Sequence, residues 1–303
     1  MPGKRYNDLG SFLRKRFGCK VYKVSVKADL TCPNRDGTKG YRGCIYCSTD
    51  TLVPSTYTAD MPIRDQLDQG IAYLKRKYKA DKFIAYFQSY SNTYAPLNTL
   101  EGLYLQAVDH PDVVGLAIST RPDCVDDSIL DLISEIGKKK FVWMEYGLQS
   151  SSDKTLELLN RGHNLKDFLD SLDKTNSRGI PVCVHVIIGL PGEKRKDILD
   201  TARLLGRLAV WGVKIHHLEV HRGTKLEEMY RKGDIRVSAI EEYISLVAAF
   251  LEYISPQTII HRLCSDTPKR YLVAPEWEGG KFTLIRKIEE FLDKRDIYQG
   301  AKC

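Results

Sequence analysis

The chain predicts an α/β protein built on a parallel sheet wrapped by helices. Short runs rich in Val, Ile and Phe recur along it, too uniformly apolar for strands with one wet face. Stretches of helical spacing separate them and give six βα units. With 303 residues, 43% hydrophobic and 28% charged, the chain can bury one large core and is ordinary in composition for a globular protein. Right-handed crossovers would close or nearly close such a sheet into a barrel. A doubly wound open sheet is the alternative that periodicity leaves.

Taken in order, Val21-Tyr-Lys-Val-Ser-Val26 alternates apolar and polar residues and reads as a strand that runs straight into a cysteine-rich loop. Ile63, Leu67, Ile71 and Leu74 share one helical face, which predicts a helix over 62–78 whose last turn is basic. Phe83-Ile-Ala-Tyr-Phe-Gln88 suits a strand buried on both faces. The alternation continues with a helix over 96–109, a strand over 113–118, a helix from Asp126 and a strand over 140–148. Helices follow at 152–160 and 164–178, then a strand over 181–188, a helix over 193–211 and a strand over 213–220. A helix over 237–253 leads to Thr258-Ile-Ile-His-Arg-Leu263, one further candidate strand, and a last helix is expected at 282–294. No repeat, low-complexity tract or Pro/Gly/Ser linker divides the chain. A single domain over 1–303 is therefore expected, with a core of about 20–265 and a C-terminal extension of about 266–303.

Three of the eight cysteines fall within sixteen residues, at Cys32, Cys44 and Cys47. Cys44 and Cys47 form a C-x-x-C pair, and Gly37, Gly40 and Gly43 let the loop bring Cys32 back to them. No signal peptide precedes the triplet, which disfavours a disulfide framework. A structural zinc normally closes its shell with a fourth Cys or His, and the other five cysteines are scattered singly. A zinc site and an iron–sulfur cluster with one open iron both remain compatible with the triplet.

The triplet, with Tyr46 just before its last cysteine, resembles the long-spaced cluster motif of the radical S-adenosylmethionine (SAM) superfamily. Tyr86-Phe-Gln-Ser-Tyr-Ser-Asn-Thr93, Ser119-Thr-Arg-Pro-Asp123, Met144-Glu-Tyr-Gly-Leu-Gln-Ser150, Asn160-Arg-Gly-His163 and His185-Val-Ile-Ile-Gly-Leu-Pro-Gly-Glu193 follow in family order. From about Tyr6 to Trp277 the chain resembles the YhcC/YtqA-like group, relatives of the radical SAM domain in the Elongator catalytic subunit. The resemblance implies a partial (β/α)6 TIM-like barrel of the radical SAM type, and an enzyme. A 4Fe–4S cluster on Cys32, Cys44 and Cys47 would leave one iron for SAM, and reductive cleavage there would give a 5′-deoxyadenosyl radical. It further implies a SAM site. Ser89, Tyr90 and Ser91 would stand where the superfamily has a glycine-rich turn, and Gln149 near the ribose. Arg161 would lie on the SAM carboxylate, where a guanidinium binds bidentately. Ser119 stands where relatives often have glutamate and His185 where they often have aspartate. Ile187 would pack on the adenine.

In barrels of this kind the loops after the strands build the site, and these motif stretches gather at strand ends. Arg121, Glu145 and Lys214 are further candidates for substrate or catalytic roles, joined by Asp123, His216 and His221. A structural Glu145–Arg121 or Glu145–Lys214 pair would account for the charges equally well.

The net charge is +7, with basic runs at Arg14-Lys-Arg16, Lys75-Arg-Lys77, Lys138-Lys-Lys140 and Lys269-Arg270. These fit a nucleic-acid footprint and equally fit solvated helix ends. The resemblance implies a tRNA substrate, with radical attack on the C5 side chain of a wobble uridine, for example carboxymethylaminomethyl to aminomethyl. RNA would then bind the barrel rim and the C-terminal segment, including Trp277. An electron donor such as flavodoxin or ferredoxin would be required. The absence of a leader or an apolar membrane span points to the cytoplasm and no membrane partner; oligomeric state is not legible. Two rivals stand beside this reading: a radical SAM enzyme acting on a small metabolite, and a zinc-stabilised RNA-binding protein without redox chemistry.

Overall fold

The computed structural model describes residues 4–48, 54, 56–58 and 60–303. Helix α1 (Leu9–Phe17), which the sequence reading did not foresee, comes first, with the Asp8 carboxylate accepting from the Ser11 amide as its cap. Strand β1 (Val21–Val26) leads into the cysteine loop. Then alternate α2 (Ile63–Tyr78), β2 (Lys82–Phe87), α3 (Leu97–Val108), β3 (Val113–Thr120), α4 (Asp127–Gly137) and β4 (Phe141–Gln149). Two helices, α5 (Asp153–Leu158) and α6 (Leu165–Asn176), precede β5 (Val182–Ile188), α7 (Arg195–Arg207) and β6 (Gly212–His217). After β7 (Val220–His221) come α8 (Lys225–Lys232), α9 (Ile240–Leu251), β8 (Ile259–Arg262), β9 (Leu272–Ala274) and α10 (Gly280–Arg295).

Seven strands pair in the order β1-β2-β3-β4-β5-β6-β8, all parallel. They curl into an incomplete barrel, so the partial barrel holds over the doubly wound alternative, and the further candidate strand at 258–263 is its seventh member. The expected strand over 213–220 stops at His217, and the chain beyond it joins a separate antiparallel pair, β7 with β9.

The interior is layered along the barrel axis. At the bottom, α1 closes the end where the strands begin. Leu9 and Leu13 pack with Ile259, alongside Phe12, Phe17, Val21, Phe141 and Trp211, and Arg16 lies 4.1 Å from the centroid of the Phe141 ring. Above this plug Ile84, Tyr86, Ala117, Trp143 and Cys183 fill the barrel. The outer faces of the strands pack on the helices in one continuous core that extends from Tyr6 to Leu292. Such filling leaves chemistry only at the top, where the strands end.

The top also contains an acid with a cost. Burial pushes Glu193, which accepts from the Ser150 hydroxyl at 2.5 Å, up to about 7. Its folded value lies above its unfolded one, so the stability it contributes is present below about pH 4.3 and is lost as pH rises through 7. Glu193→Gln should therefore gain stability relative to the parent as pH goes from 5 to 8.5. Urea denaturation at the two pH values checks this; an unchanged difference sinks it.

Candidate active site

The cysteine loop is folded on itself by backbone bonds. Pro33 O accepts from the Lys39 and Gly40 amides at 2.7 and 3.1 Å, and Asn34 O from Gly43 at 2.7 Å. The loop is fastened to the turn between α5 and α6. The Asn34 amide donates to the carbonyls of Asn160 (2.6 Å) and Arg161 (3.0 Å), and Asn160 donates back to Gly43 O at 2.8 Å. That turn passes through left-handed backbone at Asn160 and Gly162, with φ of 53° and 64°. A Cβ on Gly162 would lie 2.6 Å from Asn34 Oδ1, so glycine lets the clasp close.

This clasp sets Arg161 against the loop. Its Nη1 donates to Cys44 Sγ at 3.3 Å and to the Tyr46 hydroxyl at 3.1 Å, and its Nη2 donates to Gly147 O at 2.6 Å. Its Nε is buried without a partner. The Gln149 amide and the Arg161 guanidinium both press on Gly147, where an added Cβ would meet them at 2.7 and 3.0 Å. Gln149 itself has φ of 73°, at a register slip between β4 and β5, a strained geometry of the kind stored at ligand sites.

A cavity of about 340 Å³ opens at the top of the barrel. Tyr46 and Cys47 line one side, with Ser119, Gln149, His185 and Ile187 from successive strand ends. Gln88, His216, His217, Glu219, His221, Arg262 and the segment Ser265–Thr267 complete it. Of these, His217, Glu219, Arg262 and Ser265–Thr267 were not singled out from sequence; their signal is the strand-end position of His217, Glu219 and Arg262.

Ser89, Tyr90 and Ser91 do not line the cavity. They follow β2, with Tyr90 at φ of 66°, and the hydroxyls of Ser89 and Ser91 are buried without partners. Arg121 holds Asp123 through Nε and Nη2 at 2.9 and 2.8 Å, and donates to the Arg161 carbonyl. It does not pair with Glu145.

Glu145 instead forms a charged floor beneath the cavity with Lys214. Its carboxylate accepts from Lys214 (3.0 Å), Lys23 (3.2 Å), the Tyr86 hydroxyl (2.8 Å) and the Trp143 indole (2.9 Å), and His185 Nε2 stands 2.7 Å away. Burial would raise this carboxyl, but Lys214 and Lys23 hold it well below the usual range. Burial pulls Lys214 down to about 7 against the pull of Glu145. Burial and the Lys214 charge push His185 down to about 3, so its ring is neutral, donates through Nε2 to Glu145 and keeps Nδ1 as an acceptor.

Among the described residues one group has the spacing of ligands to a single ion: Glu145, Cys183 and His261. Its carboxylate is already saturated by two ammonium groups and three other donors, so it is no metal site. The sulfurs of Cys32, Cys44 and Cys47 are not drawn within 4.8 Å of one another as a set. One tetrahedral zinc would hold them ~3.8 Å apart. The wider spacing and the orphaned Nε of Arg161 beside them fit a cluster with a bound ligand.

The model of the radical SAM superfamily matches residues 37–205 and that of the radical SAM C-terminal domain residues 210–294. The chain belongs to the radical SAM superfamily, enzymes that use a 4Fe–4S cluster and SAM, and the zinc-stabilised rival falls. It is 36% identical to YtqA of Bacillus subtilis over 98% of this chain and 92% of that protein, and 33% identical to YhcC of Escherichia coli over 98% and 96%. It is 23% identical to the tRNA uridine(34) acetyltransferase of Dehalococcoides mccartyi over 90% of this chain, spanning 64% of that protein. The fold is similar to that of Methanocaldococcus infernus Elp3, with a TM-score of 0.69 and 18% identity over 92% of this chain and 64% of that one.

Proposed function

We propose that this radical SAM enzyme modifies the C5 side chain of a tRNA wobble uridine, for example carboxymethylaminomethyl to aminomethyl. What carries the reading is the similarity, over nine-tenths of the chain, to a protein named for acting on tRNA uridine 34. In it, Cys32, Cys44 and Cys47 hold the cluster, whose contribution when bound is the electron that cleaves SAM. Gln149, Arg161, Ser119, His185 and Ile187 orient SAM, and Tyr46 steadies Arg161. Ser89, Tyr90 and Ser91 offer backbone and hydroxyls behind it. The reducing electron comes from a donor of the flavodoxin or ferredoxin type, in a cytoplasmic setting. Among the described residues no helix is long and apolar enough to cross a membrane.

The basic runs divide by place. Arg14–Arg16, Lys75–Lys77 and Lys138–Lys140 end helices or follow them at the bottom of the barrel, where helix dipoles favour cations. Lys269 and Arg270 precede β9, at the end that carries the cavity, near Arg222, whose Nε donates to Arg270 O at 3.0 Å. Tyr41, 81% exposed on the cysteine loop, adds a stacking surface. Trp277 does not: its ring packs 4.6 Å from His217 and 5.3 Å from Tyr243. Reversing Lys269 and Arg270 to Glu should lower the log–log salt slope of tRNA binding by about 2, and reversing Lys138 and Lys139 should leave it unchanged. A gel shift across a salt series reads both; equal effects would refute the rim assignment.

The test of function is anaerobic reconstitution with iron and sulfide, then reduction and SAM, with 5′-deoxyadenosine followed by chromatography. Undermodified tRNA should accelerate its formation, and nucleoside mass spectrometry should show aminomethyl at the wobble uridine. SAM cleavage that no tRNA accelerates would return the substrate to the small metabolites.

A further inference from the structure

The cavity wall at the end of β8 holds a cation with nothing to neutralise it. Arg262 ends β8 and lines the cavity, and among the described residues its guanidinium makes no hydrogen bond, ion pair or ring contact. The protein's other arginines in this region are tied: Arg121 to Asp123, Arg161 to Cys44 and Gly147, Arg35 to Cys47 O at 2.9 Å. Arg262 reaches the interior through a bulge. The β6–β8 register slips between Val213 and Lys214, placing Arg262 beside Lys214 and leaving both His261 and Arg262 turned inward.

Two imidazole nitrogens on the same wall are also unsatisfied. His216 Nε2 and His221 Nδ1 are buried with no partner, while their other nitrogens are fixed, His216 Nδ1 at 3.3 Å from Ser265 Oγ and His221 Nε2 at 3.3 Å from Glu219. The acids nearby are spoken for. Glu219 faces His217 at 3.4 Å, His221 at 3.3 Å and the Thr267 hydroxyl at 2.8 Å, and Asp266 faces Lys281 at 3.3 Å. Burial and the Arg262 charge keep His216 neutral, so it adds hydrogen bonding and no second cation.

We propose that Arg262, with His216 on the adjacent strand, is the receptor for an anionic group of the substrate, a carboxylate or a phosphate. A guanidinium grips either bidentately, and a cation left unpaired in a half-buried wall is costly unless a ligand completes it. The anion is the substrate's, because the SAM carboxylate is assigned to Arg161, which sits on Cys44 of the cysteine loop and does not line the cavity. The inference rests on the radical SAM reading of the cavity. In its carboxylate form it matches a carboxymethyl side chain on uridine.

Titration calorimetry on reconstituted, SAM-loaded protein tests it with three probes: 5-carboxymethyluridine, uridine 5′-monophosphate and uridine. At least one anionic probe should bind about tenfold more tightly than uridine. Arg262→Gln should erase that advantage and leave uridine unaffected, while Arg262→Lys keeps part of it. Preference for the carboxymethyl probe assigns a carboxylate, preference for the monophosphate a phosphate. Because the Arg262 side chain makes no internal bond, Arg262→Gln should not lower the Tm of the ligand-free protein; a clear fall would mark a structural role and overturn the proposal. So would uridine binding as tightly as both anions, an Arg262→Gln effect within about twofold, or no binding of any probe at about 10 mM. If anion binding depends on Arg262 but no tRNA is modified, the receptor stands and the wobble-uridine reading fails.

Discussion

Glu145→Leu should destabilise the protein by about 3–5 kcal/mol, because it removes the single anion from a site that contains two ammonium groups. Lys214 is 5% exposed and Lys23 21%. The Tyr86, Trp143 and His185 donors lose their acceptor with them. The cost is bounded from above because Lys214, already pulled down to about 7, can shed its proton once the carboxylate is gone. It is therefore largest below pH 7 and partly relieved above it. On the acid side the sign is fixed by Glu145: its folded value is depressed, so its contribution is present above about pH 4.3 and fades as pH falls through the folded value. Glu145→Leu combined with Lys214→Met should recover most of the loss, since a buried pair replaced by apolar groups is close to neutral. Urea denaturation between pH 4 and 9 decides it, and a single-variant loss under about 1 kcal/mol would show the floor to be wet and weakly coupled.

The parallel sheet was legible because burial on both faces leaves a signal in most of its strands, Phe83–Phe87 and Val182–Ile188 offering water almost nothing, whereas its closure into a partial barrel was read from the family resemblance. Helix α1 carried a signal too, with Leu9, Phe12, Leu13 and Phe17 on one face behind an Asp8 cap. Its partners are the starts of distant strands, so its role as a plug was not. Strands β7 and β9 have two and three residues, pair across some fifty positions and show no period. The partner of Glu145 could be narrowed to Arg121 or Lys214 but not chosen, because the choice depends on register: His185 aligns with Gly147 on one side and Lys214 on the other. Arg262 was hidden for a related reason. Strict alternation would turn one of His261 and Arg262 outward, and only the bulge brings both in.

Cys44→Ala and Arg161→Met should separate holding the cluster from holding SAM, though the two side chains touch. Cys44 is buried and accepts from Arg161 Nη1 and the Asn34 amide, and with it gone only two thiols of the loop remain. Iron after anaerobic reconstitution should fall from about four per chain to background, and 5′-deoxyadenosine should vanish. Arg161→Met leaves all three cysteines, and the loop stays clasped through Asn34, Asn160 and Ile45. The cluster should therefore form. On the proposed reading, what is lost is a charged partner whose Nε has nothing to bind in the protein alone, worth about 1.5–3 kcal/mol toward a carboxylate, or roughly ten- to hundredfold in SAM affinity. Iron content, the EPR spectrum of the reduced protein and its shift on SAM addition read the two variants independently. If Arg161→Met loses iron as completely as Cys44→Ala, the guanidinium serves the cysteine loop itself and another residue must take the SAM carboxylate.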